Sequence, residues 1–121
     1  MAGHVEQVIE SRVGKVESEE TWDLLMSQAK NQGCPVVVHF TASWCIPSVA
    51  MKQFFEELAL CHQDILFLTV DVDEVKVVAS KMEIKAMPTF LLVKEGVATR
   101  KLVGANPDEI KKRVKELVYH Y

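Results

Sequence analysis

Apolar residues along this chain follow two patterns: runs that are apolar at nearly every position, and stretches in which they recur every third or fourth position. The first pattern predicts buried strands and the second predicts amphipathic helices. Strands are therefore expected over 35–41 and 65–71, and the β-branched run 35–41 is typical of a central strand covered on both faces. Residues 89–94 and 97–103 flank Glu95-Gly96 and predict an antiparallel hairpin.

Helices are predicted between and after these strands, each with apolar residues gathered on one face. Serine and proline near their starts and a glycine at one end are typical of helix boundaries. In chain order the predicted helices begin after Ser18, at Pro47, at Glu74 and at Pro107, and they end before Gly33, at Cys61, at Lys81 and at Tyr121.

The predicted order of elements is β, α, β, α, β, α, β, β, α, with no residues assigned to the first strand. This order predicts an α/β fold with a single mixed sheet, parallel in its first part and closed by the antiparallel hairpin, with helices on both faces. We expect one domain over residues 1–121, whose first few residues are disordered.

Composition and charge narrow the classes of function. The chain has 49% hydrophobic and 26% charged residues, and its net charge of −3 argues against a protein that neutralises nucleic-acid phosphates. The basic cluster at 111–115 is expected to be a solvated helix face. No run approaches the ~18 apolar residues of a membrane span, no secretory signal is recognisable, and Ala2 stands where N-myristoylation needs glycine. We therefore expect a cytoplasmic protein without a membrane partner.

Cys45 follows the predicted central strand and comes two residues before Pro47, where a helix can begin. In an open α/β sheet, reactive groups lie beyond the carboxyl ends of the strands, where the next helix presents unpaired N–H groups. The positive end of such a helix favours a thiolate over a thiol. Cys45 is therefore predicted to be a nucleophile rather than a packing residue.

The segment Trp44-Cys45-Ile46-Pro47-Ser48, followed much later by Met87-Pro88-Thr89-Phe90, resembles the thioredoxins. The segments 40–45, 71–73 and 103–105 are similar to the h-type thioredoxins of plants, and Cys45 with Ser48 resembles their monocysteinic Cys-x-x-Ser relatives. The resemblance covers nearly the whole chain. It implies a thioredoxin fold, a cis-proline facing Cys45, and a substrate-docking surface made by Trp44, Ile46, Pro47, Met87, Pro88, Val103, Gly104 and Ala105.

Three positions depart from the thioredoxin pattern. Ser48 stands where the family has a second, resolving cysteine, and a hydroxyl is too weak an acid to expel a partner from a mixed disulfide. His39 stands where the family usually has a buried aspartate, and Thr69 where a lysine often accompanies it. We expect His39 to be a neutral, packed histidine, with a proton relay to Cys45 as the alternative.

The remaining cysteines, Cys34 and Cys61, cannot replace the missing thiol. Cys34 precedes the strand that delivers Cys45, and Cys61 closes the helix that Cys45 opens, so each is predicted to lie about 20 Å away. A disulfide needs Cα atoms about 4.4–6.8 Å apart. We interpret both as packing cysteines, with intermolecular disulfides or glutathionylation as the alternative. The cysteine spacings match no zinc pattern, so no metal is expected.

A lone nucleophilic thiol predicts disulfide exchange that needs a second thiol from outside the chain. The resemblance implies protein disulfide isomerisation with weak disulfide reductase activity on protein substrates with disulfides or thiols. No cofactor is expected, although glutathione or glutaredoxin can serve as the external thiol. Two alternatives stay open: a glutathione-dependent monothiol oxidoreductase similar to glutaredoxins, and a non-catalytic binding module or holdase that traps partners through Cys45.

Overall fold

A computed structural model of the chain describes residues 11–118. Five strands and five helices follow one another in this range. In chain order they are β1 (Val13–Val16), α1 (Glu19–Gln32), β2 (Val36–Thr41), α2 (Ile46–Ala50), α3 (Lys52–Cys61), β3 (Leu66–Asp71), α4 (Lys76–Lys81), β4 (Thr89–Lys94), β5 (Val97–Val103) and α5 (Pro107–Val118).

The strands form one sheet in the order β1-β3-β2-β4-β5. β1, β3 and β2 run parallel, and β4 and β5 add the antiparallel hairpin. This confirms the predicted mixed sheet and the α/β class. β2 is the central strand, and its first five residues are buried, as its continuous apolar run predicted.

Side chains that alternate along β2 divide the core into two layers. Val36, Val38 and Phe40 pack with α1 and α4 on one face of the sheet. Val37 packs with α3 and α5 on the other face. His39 lies on the same face as Val37, because the two positions are two residues apart, and it meets Phe55 of α3. His39 therefore lies on the face of the sheet that α2 and α3 cover.

Helix boundaries differ from the prediction at three places, the smallest being the start of α2 at Ile46 instead of Pro47. The helix expected over 47–61 is divided at Met51, whose N–H bonds to the Ser48 carbonyl three residues back at 3.1 Å. This tighter turn leaves the apolar periodicity intact, so the sequence pattern did not reveal it. The helix expected from Glu74 begins only at Lys76.

Capping residues account for the boundaries that were predicted correctly. The Ser18 hydroxyl accepts from the Thr21 N–H at 3.1 Å, and Gly33 ends α1 with a left-handed φ of 67°. The predictions for the first few residues and for Tyr121 fall outside the described residues. Among residues 11–118, no helix combines the length and apolar character that a membrane crossing needs.

Candidate active site

Cys45 lies at the end of the loop that joins β2 to α2, immediately before the helix. The loop after Thr41 is closed by a hydrogen bond from the Cys45 N–H to the Ala42 carbonyl at 3.1 Å, and Pro47 follows within the first turn of α2. Cys45 holds the N-cap position, but its side chain makes no capping hydrogen bond. Its half-buried sulfur instead lies 3.4 Å from the carbonyl oxygen of Met87. The thiol is thus turned toward the loop that precedes β4.

That loop carries the cis-proline which the resemblance implied. The Met87–Pro88 peptide bond is cis, and Pro88 is buried. The Pro88 carbonyl accepts from the Gly104 N–H at 2.9 Å, which ties the loop to the end of β5. Gly104 has a φ of +109°, a conformation that side chains strongly disfavour, so this tie requires glycine. Cys45, Pro88 and Gly104 therefore come together from three separate segments.

Exposed apolar side chains flank Cys45 in the chain at Trp44 and Ile46, and a third, Val103, pairs with Thr89 next to the cis-proline. Trp44 is 63% exposed, Ile46 81% and Val103 64%, which is unusual for side chains of this size. The Trp44 indole N–H donates to the Asp73 carboxylate at 2.8 Å, so the exposed ring is held from one edge. We call Trp44, Ile46 and Val103 the apolar rim. The resemblance implied a substrate-docking role for these positions, and that role stays a prediction.

Ser48 does not face solvent beside Cys45. It is completely buried, its hydroxyl donates to the Thr41 hydroxyl at 2.6 Å, and its oxygen lies 3.3 Å from Nε2 of His39. The hydroxyl is therefore tied inward, toward the sheet. This arrangement leaves it neither the acidity nor the freedom to act on a disulfide at Cys45.

His39 is a packed, neutral histidine. Its ring stacks on Phe90 with centroids 4.6 Å apart, and Phe55 covers it from α3. Burial disfavours the charged imidazolium and lowers the pKa of His39 from 6.5 to about 4. None of the hydrogen bonds described within residues 11–118 joins His39 to Cys45, and a proton relay between them stays a prediction.

The other positions singled out from the sequence have local roles. The Thr69 hydroxyl donates to the His39 carbonyl at 3.3 Å. All three cysteines are free, and Cys34 is half-buried with its sulfur 3.4 Å from the Pro35 carbonyl. The packing role predicted for Cys61 is wrong, because Cys61 is exposed at the end of α3. The buried face of α3 carries Phe55, Leu58 and Ala59, and position 61 falls outside that stripe.

Two residues of the site were not predicted. Thr41 receives the Ser48 hydrogen bond, and Asp73 holds Trp44. The signal for Thr41 was its position two residues after His39, which puts both on one face of β2. Asp73 follows β3, whose end lies beside the end of β2 because Thr41 pairs with Asp71. That register could not be read from the sequence.

A half-buried thiol at the start of a helix, beside a cis-proline and an apolar rim, defines a protein class that exchanges thiols and disulfides on an α/β sheet. The thioredoxin family model matches residues 13–116 of this chain. The thioredoxin-like protein CXXS1 of Arabidopsis thaliana is 68% identical over 104 residues, which are 86% of this chain and 88% of that protein. The CXXS1 protein of Oryza sativa subsp. japonica is 60% identical over 104 residues, covering 86% and 78% of the two chains.

Solved structures agree with this assignment. The crystal structure of thioredoxin NaTrxh from Nicotiana alata matches with a TM-score of 0.86 at 34% identity, over 93% of this chain and 98% of that one. The chain belongs to the thioredoxin family and is close to the h-type thioredoxins of plants. It is a thioredoxin-like thiol–disulfide oxidoreductase, a class that acts on protein disulfides without a cofactor. Within the described part of the chain, no three His, Cys, Asp or Glu side chains could hold a metal ion together.

Proposed function

We propose that this protein acts mainly as a protein disulfide isomerase with weak disulfide reductase activity, and that Cys45 is its sole nucleophile. The observation that carries the proposal is the position of Ser48, a buried hydroxyl bonded to Thr41 and His39, where the family has its second thiol. Without that thiol, the chain holds a captured substrate until another thiol arrives.

The exchange balances without an external oxidant or reductant. The Cys45 thiolate attacks one sulfur of a substrate disulfide, so an S–S bond forms between Cys45 and the substrate while the substrate bond breaks. The second substrate sulfur leaves as a thiolate. Another thiolate of the same substrate then attacks the mixed disulfide, which restores Cys45 and leaves a rearranged substrate disulfide. Net reduction instead requires two electrons from an external thiol such as glutathione or glutaredoxin.

The remaining cysteines are too remote to release the substrate from within. Cys34 precedes β2 and Cys45 follows it, and a six-residue strand spans about 20 Å. Cys61 ends α3, at the far end of the helical segment that Cys45 opens. The length of β2 alone greatly exceeds the reach of a disulfide, and α2 and α3 together separate Cys61 from Cys45.

The surroundings of Cys45 suit an extended, partly unfolded polypeptide. The Met87 N–H makes no hydrogen bond to the described residues, and Met87 adjoins the cis-proline beside the sulfur. An extended segment can pair with this backbone while its side chains cover the apolar rim. Substrates with scrambled disulfides expose such segments, which favours isomerisation of misfolded proteins over exchange with compact ones.

The test uses a protein with scrambled disulfides and, separately, insulin. Recovery of native activity and insulin reduction are measured for the wild type, Cys45→Ser and Ser48→Cys, with Cys61→Ser as the matched control because Cys61 is an exposed thiol outside the site. The proposal predicts recovery with the wild type and Cys61→Ser, a fall to the uncatalysed rate with Cys45→Ser, and a gain of insulin reduction with Ser48→Cys.

Other outcomes identify the alternatives. Recovery that survives Cys45→Ser would identify a holdase, a reading that the exposed apolar rim also suits. Activity confined to glutathionylated substrates in the presence of glutathione would identify a monothiol oxidoreductase instead. The cytoplasmic location stays a prediction of the sequence.

A further inference from the structure

A cavity of about 430 Å³ lies beneath α2 and α3, on the His39 face of the sheet. Its floor includes His39 and Thr41 of β2 and Thr69 of β3. Cys45 is not among its lining residues, but the cavity shares His39 and Thr41 with the hydrogen-bonded group around Ser48. Its volume falls within the range of small-molecule sites, roughly 300–1,000 Å³.

The hydrogen bonds around Ser48 fix the proton on His39. The Ser48 hydroxyl has one proton, which it donates to Thr41. The contact between Ser48 and His39 therefore needs the proton on Nε2 of the imidazole. Because burial keeps His39 neutral, its second nitrogen, Nδ1, carries a lone pair and no proton.

This lone pair is open to the cavity. Nδ1 has no hydrogen-bond partner among the described residues. Every fully buried side-chain nitrogen or oxygen in that range has a partner, so Nδ1 is not fully buried. It is therefore reached from the cavity that His39 lines. The Thr69 hydroxyl gives its proton to the His39 carbonyl, so its oxygen also offers lone pairs to the floor. The floor thus presents two hydrogen-bond acceptors.

The walls add negative charge and an apolar surface. The charged lining residues are three carboxylates, Glu56, Asp71 and Glu74, and two ammonium groups, Lys15 and Lys52. Lys15 pairs with Glu74 at 3.2 Å, and Asp71 accepts from backbone N–H groups. Glu56 and Lys52 have no ion-pair partner among residues 11–118. Three carboxylates against two ammonium groups leave the lining with one net negative charge, and Val13, Val49 and Phe55 supply its apolar part.

We propose that this cavity binds a primary ammonium group carried on a short alkyl chain. The N–H groups of the ammonium donate to Nδ1 of His39 and to the Thr69 oxygen, and the Glu56 carboxylate balances its charge. The alkyl chain lies along the apolar wall. This site goes beyond the proposed isomerase activity and does not depend on Cys45.

The test titrates the full chain, labelled with ¹⁵N, with n-butylammonium chloride and follows the imidazole nitrogens by NMR. The expected result is a saturable shift of the His39 Nδ1 resonance, since a hydrogen bond to a bare ring nitrogen changes its shielding. Tetramethylammonium chloride has the charge without N–H donors, and n-butanol has the chain without the charge. Neither should produce a saturable shift. An equal response to tetramethylammonium, or no saturable response to n-butylammonium, would overturn the proposal.

Variants locate the site. Thr69→Val keeps the shape but removes one acceptor, and affinity should fall about tenfold, as expected for one hydrogen bond to a charged group. Glu56→Gln should weaken binding severalfold, whereas Glu57→Gln should leave it unchanged, because Glu57 bonds Gln53 outside the cavity. Equal affinities for the two glutamine variants would contradict the site. Cys45→Ser should bind like the wild type, which separates this result from any failure of the isomerase proposal.

Discussion

Lowering the pH should destabilise this protein through His39. In the unfolded chain the imidazole takes up a proton near its ordinary pKa of 6.5, whereas in the folded protein burial lowers that pKa to about 4. Between these two values the unfolded state binds more protons, so the free energy of unfolding falls as the pH falls. The full difference corresponds to roughly 3 kcal/mol, of which roughly 2 kcal/mol should already be lost at about pH 5.

Urea unfolding of the wild type and His39→Phe at a series of pH values isolates this contribution. Phenylalanine keeps an aromatic ring against Phe90 and Phe55 but cannot be protonated. Carboxylates and other titrating groups contribute equally to both proteins, so the difference between the two curves reports His39. The wild type should lose about 2 kcal/mol more than His39→Phe between pH 7 and pH 5. Parallel curves would refute the neutral, buried histidine and with it the proton assignment in the cavity.

Two further predictions concern the supports of the site. Gly104→Ala should destabilise the fold by more than about 1 kcal/mol in urea unfolding, and by more than Gly33→Ala. The reason is that the Gly104 φ of +109° lies outside the left-handed region that Gly33 occupies at +67°. Equal losses of unfolding free energy in the two variants would contradict the strain argument. Asp73→Ala removes the hydrogen-bond acceptor of the Trp44 indole and should slow disulfide isomerisation severalfold. The unfolding free energy should change by less than about 0.5 kcal/mol, as is usual for exposed positions. An unchanged isomerisation rate would mean that Trp44 does not need this hydrogen bond.

Local signals made most of the fold predictable. The hairpin was predicted with its observed strand bounds because Gly96 suits the turn, and α1 because Ser18 and Gly33 satisfy its ends chemically. The first strand received no residues because Val13–Val16 is short, and only one of its four residues is buried. The break at Met51 escaped detection because it changes hydrogen bonding without changing which face is apolar.

The site was predictable only in part. Cys45, Pro88 and the apolar rim follow from motifs that are local in sequence. The partners of Ser48 depend on how α2 packs against β2. The partner of Trp44 depends on the register between β2 and β3 and on the path of the chain after Asp71. Both are decided by packing between elements rather than by local sequence. The burial of Cys61 was predicted wrongly because an apolar helix pattern says little about the last residue of the helix. Position 61 does not lie on the face of α3 that is buried.

The lifetime of the mixed disulfide tests the central claim most directly. Reduced protein is mixed with an excess of a substrate made of two single-cysteine peptides joined by one disulfide, so that the captured half carries no second thiol to release it. Samples are quenched with acid at successive times and analysed by mass spectrometry after proteolysis. The account predicts a substrate adduct on Cys45 that persists until an external thiol is added and then disappears. A disulfide joining Cys45 to Cys34 or Cys61, or the absence of any adduct on Cys45, would contradict it.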